Sequence, residues 1–168
     1  DVVVVTAEQP TAYCVSGGRR RAIVITTSAL ALLKPPELAA VLAHERAHLR
    51  GHHHHVVAVL TALSAALPQL PLMRGAIRSV PALLEMCADD RAARRHGPRS
   101  LVAGMLALAS PLPPVGGLAM AATATAARAR RLLNPAGRST RWCHRVATSA
   151  TIAATIGAPV VVNVLCHH

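Results

Sequence analysis

The sequence has no Phe, one Trp (Trp142) and one Tyr (Tyr13) among its 168 residues. Bulky aromatic side chains normally dominate core energetics, so this core has to be built from Ala, Val and Leu, with thin, alanine-lined helix contacts. Acids are equally scarce: seven Asp and Glu stand against 18 Lys and Arg, a formal charge of +11. Charged residues make up 15% of the chain, where about 25% is ordinary, and apolar residues reach 52%. With a mean hydropathy of +0.39, this composition excludes a disordered chain. The four Cys (Cys14, Cys87, Cys143, Cys166) are scattered without a CxxC pair, which argues against a disulfide scaffold and predicts reduced thiols. The basic excess raises a nucleic-acid-binding module. Aromatic residues for base stacking and zinc-finger or helix-turn-helix patterns are missing, however, so no direct nucleic-acid partner is expected. Positive loops lying against an anionic membrane face account for the charge better. The length allows one domain, with or without membrane segments, and not two independent cores. The chain starts at Asp1 without a signal-peptide pattern, as expected of a piece of a longer protein.

What is present divides into short β runs and longer helical stretches. Val2–Val5 and residues 22–26 (AIVIT) are β-branched and predict two strands, an antiparallel pair or the edge strands of a small sheet. Pro35 and Pro36 suit a first helical turn and Glu37 suits a helix N-terminus. Leu38, Val41, Leu42 and Leu49 then recur at helical spacing up to Gly51. Residues 56–73 carry no charge but are broken by Pro68 and Pro71, and read either as a membrane span or as a membrane-associated, re-entrant or buried helix. A second helix is expected over 83–95, after Pro81 and before Gly97 and Pro98. Residues 101–127, interrupted by Pro111, Pro113, Pro114, Gly116 and Gly117, predict two helical pieces joined by a turn. Residues 146–165 form an uncharged run long enough to cross a hydrocarbon core of about 30 Å. Arg128, Arg130, Arg131, Arg138, Arg141 and Arg145 all precede that run, which places the body in the cytoplasm.

His44, Glu45, Arg46, Ala47 and His48 spell HExxH within the predicted helix. Residues four apart share a helix face, so both imidazoles can grip one ion while Glu45 beside them takes a proton from water. Neutral imidazole suits Zn²⁺, which lowers the pKa of a bound water towards about 7. A catalytic site needs a third protein ligand and one open position. The first candidate is Glu85 in Glu85-Met86-Cys87-Ala88-Asp89. There Asp89, four residues on, can accept a hydrogen bond from the far nitrogen of a ligand His. The second is His54, because 44–54 also satisfies HExxHxxGxxH with Gly51 at the turn, the metzincin signature. His96 and Tyr13 are the candidates for stabilising an oxyanion. A peptide could bind along an edge strand formed by residues 22–26.

HExxH followed by ExxAD places the chain among gluzincin-type peptidases. Together with residues 12–17 (AYCVSG), 22–26 (AIVIT) and 37–48 (ELAAVLAHERAH), it closely resembles the BlaR/MecR family of integral-membrane zinc metallopeptidases. The resemblance covers roughly residues 2–107. It implies a cytoplasmic zinc protease domain held between membrane helices, which in sensor members cleaves a transcriptional repressor after an external signal. By the same match His44, His48 and Glu85 become zinc ligands and Glu45 the catalytic acid/base. Membrane peptidases of the HtpX/Ste24 type share both motifs and are the nearer rival; a non-catalytic membrane metal-binding regulator is the reading from another class. The expected fold is therefore α+β and predominantly helical. A zincin-like domain with a small β-sheet would span 1–145, and a transmembrane helix 146–165.

Overall fold

The computed structural model describes residues 1–17, 20–109 and 118–135, and those up to Leu133 belong to one compact unit, Asp1–Leu133. Three strands come first: β1 (Val2–Val5), β2 (Ala12–Gly17) and β3 (Arg20–Thr26). Six helices follow: α1 (Thr27–Leu32), α2 (Pro35–Arg50), α3 (His53–Ala66), α4 (Pro71–His96), α5 (Pro98–Leu108) and α6 (Leu118–Leu133). The expected 146–165 membrane helix lies outside the described residues. Among the described helices none is long and apolar enough to cross a membrane.

The sheet order is β1-β3-β2, with β3 in the centre. Two expectations are corrected here. The runs 2–5 and 22–26 do pair, but in parallel, Val2 opposite Ile23 and Val5 opposite Thr26. The reason is a strand the composition hid. β2 reaches β3 through only two residues, so the two must run antiparallel, which leaves β1 the opposite flank. The second correction concerns peptide binding. Both flanks of β3 are occupied, so residues 22–26 offer no free edge; the edge strands are β1 and β2, and of these β2 lines the cleft described below. Ile23 and Ile25 point from β3 into the interior at 2% and 1% exposure. Thr26 ends the strand and starts α1: its Oγ1 accepts from the Ala29 and Thr11 amides (3.2 and 3.0 Å) and donates to the Gln9 carbonyl (3.0 Å). That one hydroxyl fixes the 9–11 segment leading into β2.

α2 starts as its sequence dictates. Pro35 occupies the first turn, and the Lys34 amide donates to the Glu37 carboxylate at 3.0 Å. The core packed around it is small-residue, as the missing aromatics require: Ala40, Ala92, Leu101, Val102, Ala129 and Leu132. Gly104 lets α5 close on α2, because a Cβ there would sit 2.8 Å from Val41 Cγ2 and 3.2 Å from the Glu37 carbonyl. The 56–73 stretch is not one helix. α3 ends at Ala66 after 14 residues, about 21 Å at about 1.5 Å per residue, short of a bilayer core. α4 begins at Pro71 and runs through Pro81, where a fresh start was expected. Proline frees the carbonyl four residues back, that of Ile77, and this half of α4 is open enough for water to take it.

Candidate metal centre

α2 and α4 pack against each other and carry the chemistry. His44 and His48, one turn apart on α2, direct their Nε2 atoms together at 3.1 Å. From α4, Glu85 meets both: Oε2 lies 3.5 Å from His44 Nε2 and Oε1 lies 3.4 Å from His48 Nε2. These three side chains form a candidate metal group, with donor atoms within 4.8 Å of one another. A tetrahedral zinc ion with bonds of ~2.1 Å holds neighbouring donors about 3.4 Å apart. The arrangement therefore fits that ion without rebuilding the backbone.

Around the trio, other side chains hold the ligands in place. Asp89, one turn beyond Glu85, is fully buried, and its Oδ1 lies 3.1 Å from His44 Nδ1, close but off the line of a straight hydrogen bond. Arg128 reaches across from α6. Its Nε donates to Asp89 Oδ2 at 2.8 Å, its Nη2 to Oδ1 at 2.6 Å, and its Nη1 lies 2.9 Å from Glu85 Oε2. A second arginine one turn on, Arg131, donates to Asp90 at 2.8 Å and to the Met86 carbonyl at 3.1 Å, fastening α6 to α4. On the other side His53 Nδ1 sits 2.9 Å from His48 Nδ1, so one ring can donate to the other and fix which nitrogen of His48 faces Glu85.

The His48–His53 contact depends on the turn between α2 and α3. Gly51 ends α2, His52 adopts a left-handed backbone (φ 51°), and the chain folds back so that the His53 ring lies under Gly51. A Cβ at Gly51 would come within 2.4 Å of that ring. The turn sought in the HExxHxxGxxH reading is thus present, but it returns His53 and not His54, and to a ligand rather than to the ion position. His54 packs against His52 and His55 and is not part of the metal group.

The charges set up a proton pattern. Burial pulls His44 down, yet contacts with Asp89 and Glu85 outweigh it and raise its pKa to about 9. Burial dominates at His48, helped by His44 and His53, and lowers it to about 4. Asp89 resists burial because Arg128 and His44 stabilise its anion, and it falls to about 2. Glu85 is also held low, against burial, by His44 and Arg128. Glu45 goes the other way: burial, with Glu85 nearby, raises it despite His44. A base shifted upward is better matched to neutral pH. Its neighbour is the Cys14 thiol of β2, which shares a hydrogen bond with it and is pushed up to about 11, by burial first and then by the Glu45 charge.

The trio and Glu45 line a cleft of about 600 Å³ whose rim includes Gln9, Tyr13 and Cys14 on one side and Met105 and Arg128 on the other. Tyr13 is therefore beside the cleft, half exposed. His96 is placed in a different cavity, away from it. Sequence reasoning missed Arg128, counting it with the basic run before 146. The signal it could have used is the i, i+3 pair Arg128 and Arg131, which matches the Glu85, Asp89, Asp90 group on α4.

No curated protein and no solved structure matches the chain. Residues 1–134 do match Peptidase family M48, a family of zinc metallopeptidases. That span takes in all three strands, all six helices and every residue of the centre just described. The chain belongs to Peptidase family M48.

Proposed function

We propose that the chain is a zinc-dependent endopeptidase that cleaves a protein or peptide substrate at a cell membrane, its catalytic domain facing the cytoplasm. The role is regulatory proteolysis, such as cleavage of a transcriptional repressor. The observation that carries this is the convergence of His44, His48 and Glu85 next to Glu45, at the floor of an open cleft with a free strand edge on its rim. His44, His48 and Glu85 would hold Zn²⁺, which when bound supplies Lewis acidity at the scissile carbonyl. Glu45, whose pKa burial raises above the ordinary carboxylate value, takes the proton of the attacking water and returns it to the leaving amine. β2 pairs with the extended substrate through main-chain hydrogen bonds and so sets its register. Arg128 positions Glu85 and Asp89, and Tyr13 is the nearby hydroxyl for the developing oxyanion. Membrane association is supported by the uncharged 146–165 run, the net charge of +11, and the exposed Val59, Leu67, Leu70 and Leu72 along α3 and the start of α4.

A second reading, membrane-protein turnover of the HtpX/Ste24 type, is favoured by the family match, which falls on family M48 and not on the BlaR/MecR group. The two part on substrate: a soluble repressor in one, misfolded membrane protein in the other. The test common to both compares the zinc-loaded chain with Glu45→Gln, reading bound zinc and cleavage of an unfolded casein substrate together. Equal zinc with cleavage reduced about 10²–10⁴-fold is expected. Equal cleavage by both proteins would remove Glu45 as the base, and no cleavage by either would favour a metal-binding regulator without turnover.

A further inference from the structure

A second cavity, of about 580 Å³, lies between α2 and α4 and shares no lining residue with the catalytic cleft. Its walls are Arg46 and Arg50 from α2 and Arg91, Arg95 and His96 from α4, over a floor of Ala43 and Ala47. Ala43, Arg46, Ala47 and Arg50 recur at i, i+3, i+4 and i+7, a single stripe of α2 beside the one that bears His44 and His48. Four guanidiniums around one space repel one another, and no acid lines that space. Nor is one spare nearby. Of the seven acids, Glu45, Glu85 and Asp89 belong to the metal centre, Glu37 caps α2 and Asp90 holds Arg131. Asp1 and Glu8 are on the β1 side of the chain. Among the described residues, none of the four arginines forms an ion pair.

We infer that this cavity binds a phosphate-bearing anion. Guanidinium forks match phosphate oxygens in pairs, and four of them lining one cavity, all exposed to an incoming ligand, suit a multivalent anion better than a single carboxylate. A phosphate monoester carries about −1.5 to −2 at neutral pH, and a diphosphate more. The volume falls within the range of about 300–1,000 Å³ usual for small-molecule sites, so the cavity takes a phosphate together with the group that bears it. The same chemistry is offered by a lipid headgroup with a terminal phosphate and by a soluble phosphate compound. The site requires no turnover at the zinc centre, so the peptidase assignment can fail without it.

The test uses the full chain and two charge-matched double variants: Arg46→Gln with Arg95→Gln inside the cavity, and Arg21→Gln with Arg99→Gln, exposed on β3 and α5 outside it. Calorimetry measures pyrophosphate binding. Flotation measures binding to phosphatidylcholine vesicles with and without phosphatidic acid, and a melting curve checks that each variant folds. Wild type and the outside variant should bind at least one of the two probes alike, and the cavity variant should lose about tenfold per guanidinium removed. Binding of pyrophosphate assigns a soluble source, and binding of phosphatidic acid vesicles alone assigns the lipid. Equal losses in the two variants would reduce the effect to net charge and overturn the site, as would a folded wild type that binds neither probe.

Discussion

Replacing Asp89 by Asn removes one negative charge from a fully buried side chain without changing its shape. The wild-type carboxylate is stabilised from an ordinary 3.8 to about 2, a shift equivalent to about 2 kcal/mol in favour of the folded, charged form. That stabilisation is fully present above pH 3.8 and is lost as pH falls through about 2. Breaking one side of a buried ion pair costs about 3–5 kcal/mol, because the cation left behind has lost its partner. Arg128 keeps Glu85, so the lower end applies, about 3 kcal/mol. For a domain of this size each kcal/mol moves the melting temperature by roughly 2–8 °C, so a drop of about 10 °C is expected at pH 7 in the metal-free protein. Arg128→Gln should cost about as much. The double variant, in which neither member of the pair leaves the other charged and buried, should cost less than the two singles together by about 0.5–3 kcal/mol, although Glu85 still loses Arg128. Circular-dichroism melting of all four proteins gives the cycle, and competition with a chromophoric chelator should show zinc affinity of Asp89→Asn down about 10–100-fold. A variant that melts within about 2 °C of wild type and binds zinc equally well would refute the role given to this pair.

Zinc affinity should also depend on pH in a definite direction. Binding needs a neutral His44, whose pKa is about 9, so the apparent constant should rise about tenfold per pH unit up to that point, with about one proton released per ion taken up. Without metal, the folding contributions change sign. His48, lowered to about 4, favours the folded chain above pH 6.5 and loses that contribution as pH falls towards 4. His44, raised to about 9, favours it below 6.5 and loses its contribution as pH rises through 9. Chemical denaturation across pH should therefore give a maximum near pH 6.5 that moves to higher pH once zinc is added. Gly51→Ala should force the His53 ring away, destabilise by about 1–3 kcal/mol and weaken zinc binding with it. His53→Ala should weaken zinc binding about tenfold with a smaller effect on stability, and equal zinc affinity in that variant would remove His53 from the centre.

The parts of the fold that could be read from the sequence are those fixed by local rules. α2 was legible because a Pro pair, an acidic first turn, apolar spacing and a terminal Gly all agree, and the two imidazoles follow from spacing alone. Glu85 and Asp89 could be paired for the same reason. β2 was not legible. Its alternation is real, with Tyr13 and Val15 exposed and Ala12, Cys14 and Ser16 half-buried, but small residues carry too little hydropathy to reveal it. α1, six residues long, is too short to show a period. In the His run, identical side chains hide which one turns inward, and only the backbone at His52 decides for His53. Arg128 was missed because its partners lie 39 and 43 residues away, and its i, i+3 pairing with Arg131 was the one local hint of the contact.

The cation that locks the two acids of α4 follows every other residue of the centre in the sequence. A fragment ending at residue 109 would already contain both imidazoles, the base and both carboxylates, yet would bury Asp89 with no guanidinium to meet it. Such a fragment should be poorly folded and slow to take up metal. The site would thus become competent only after α6 has docked, so metal uptake waits on a helix that follows every other part of the centre.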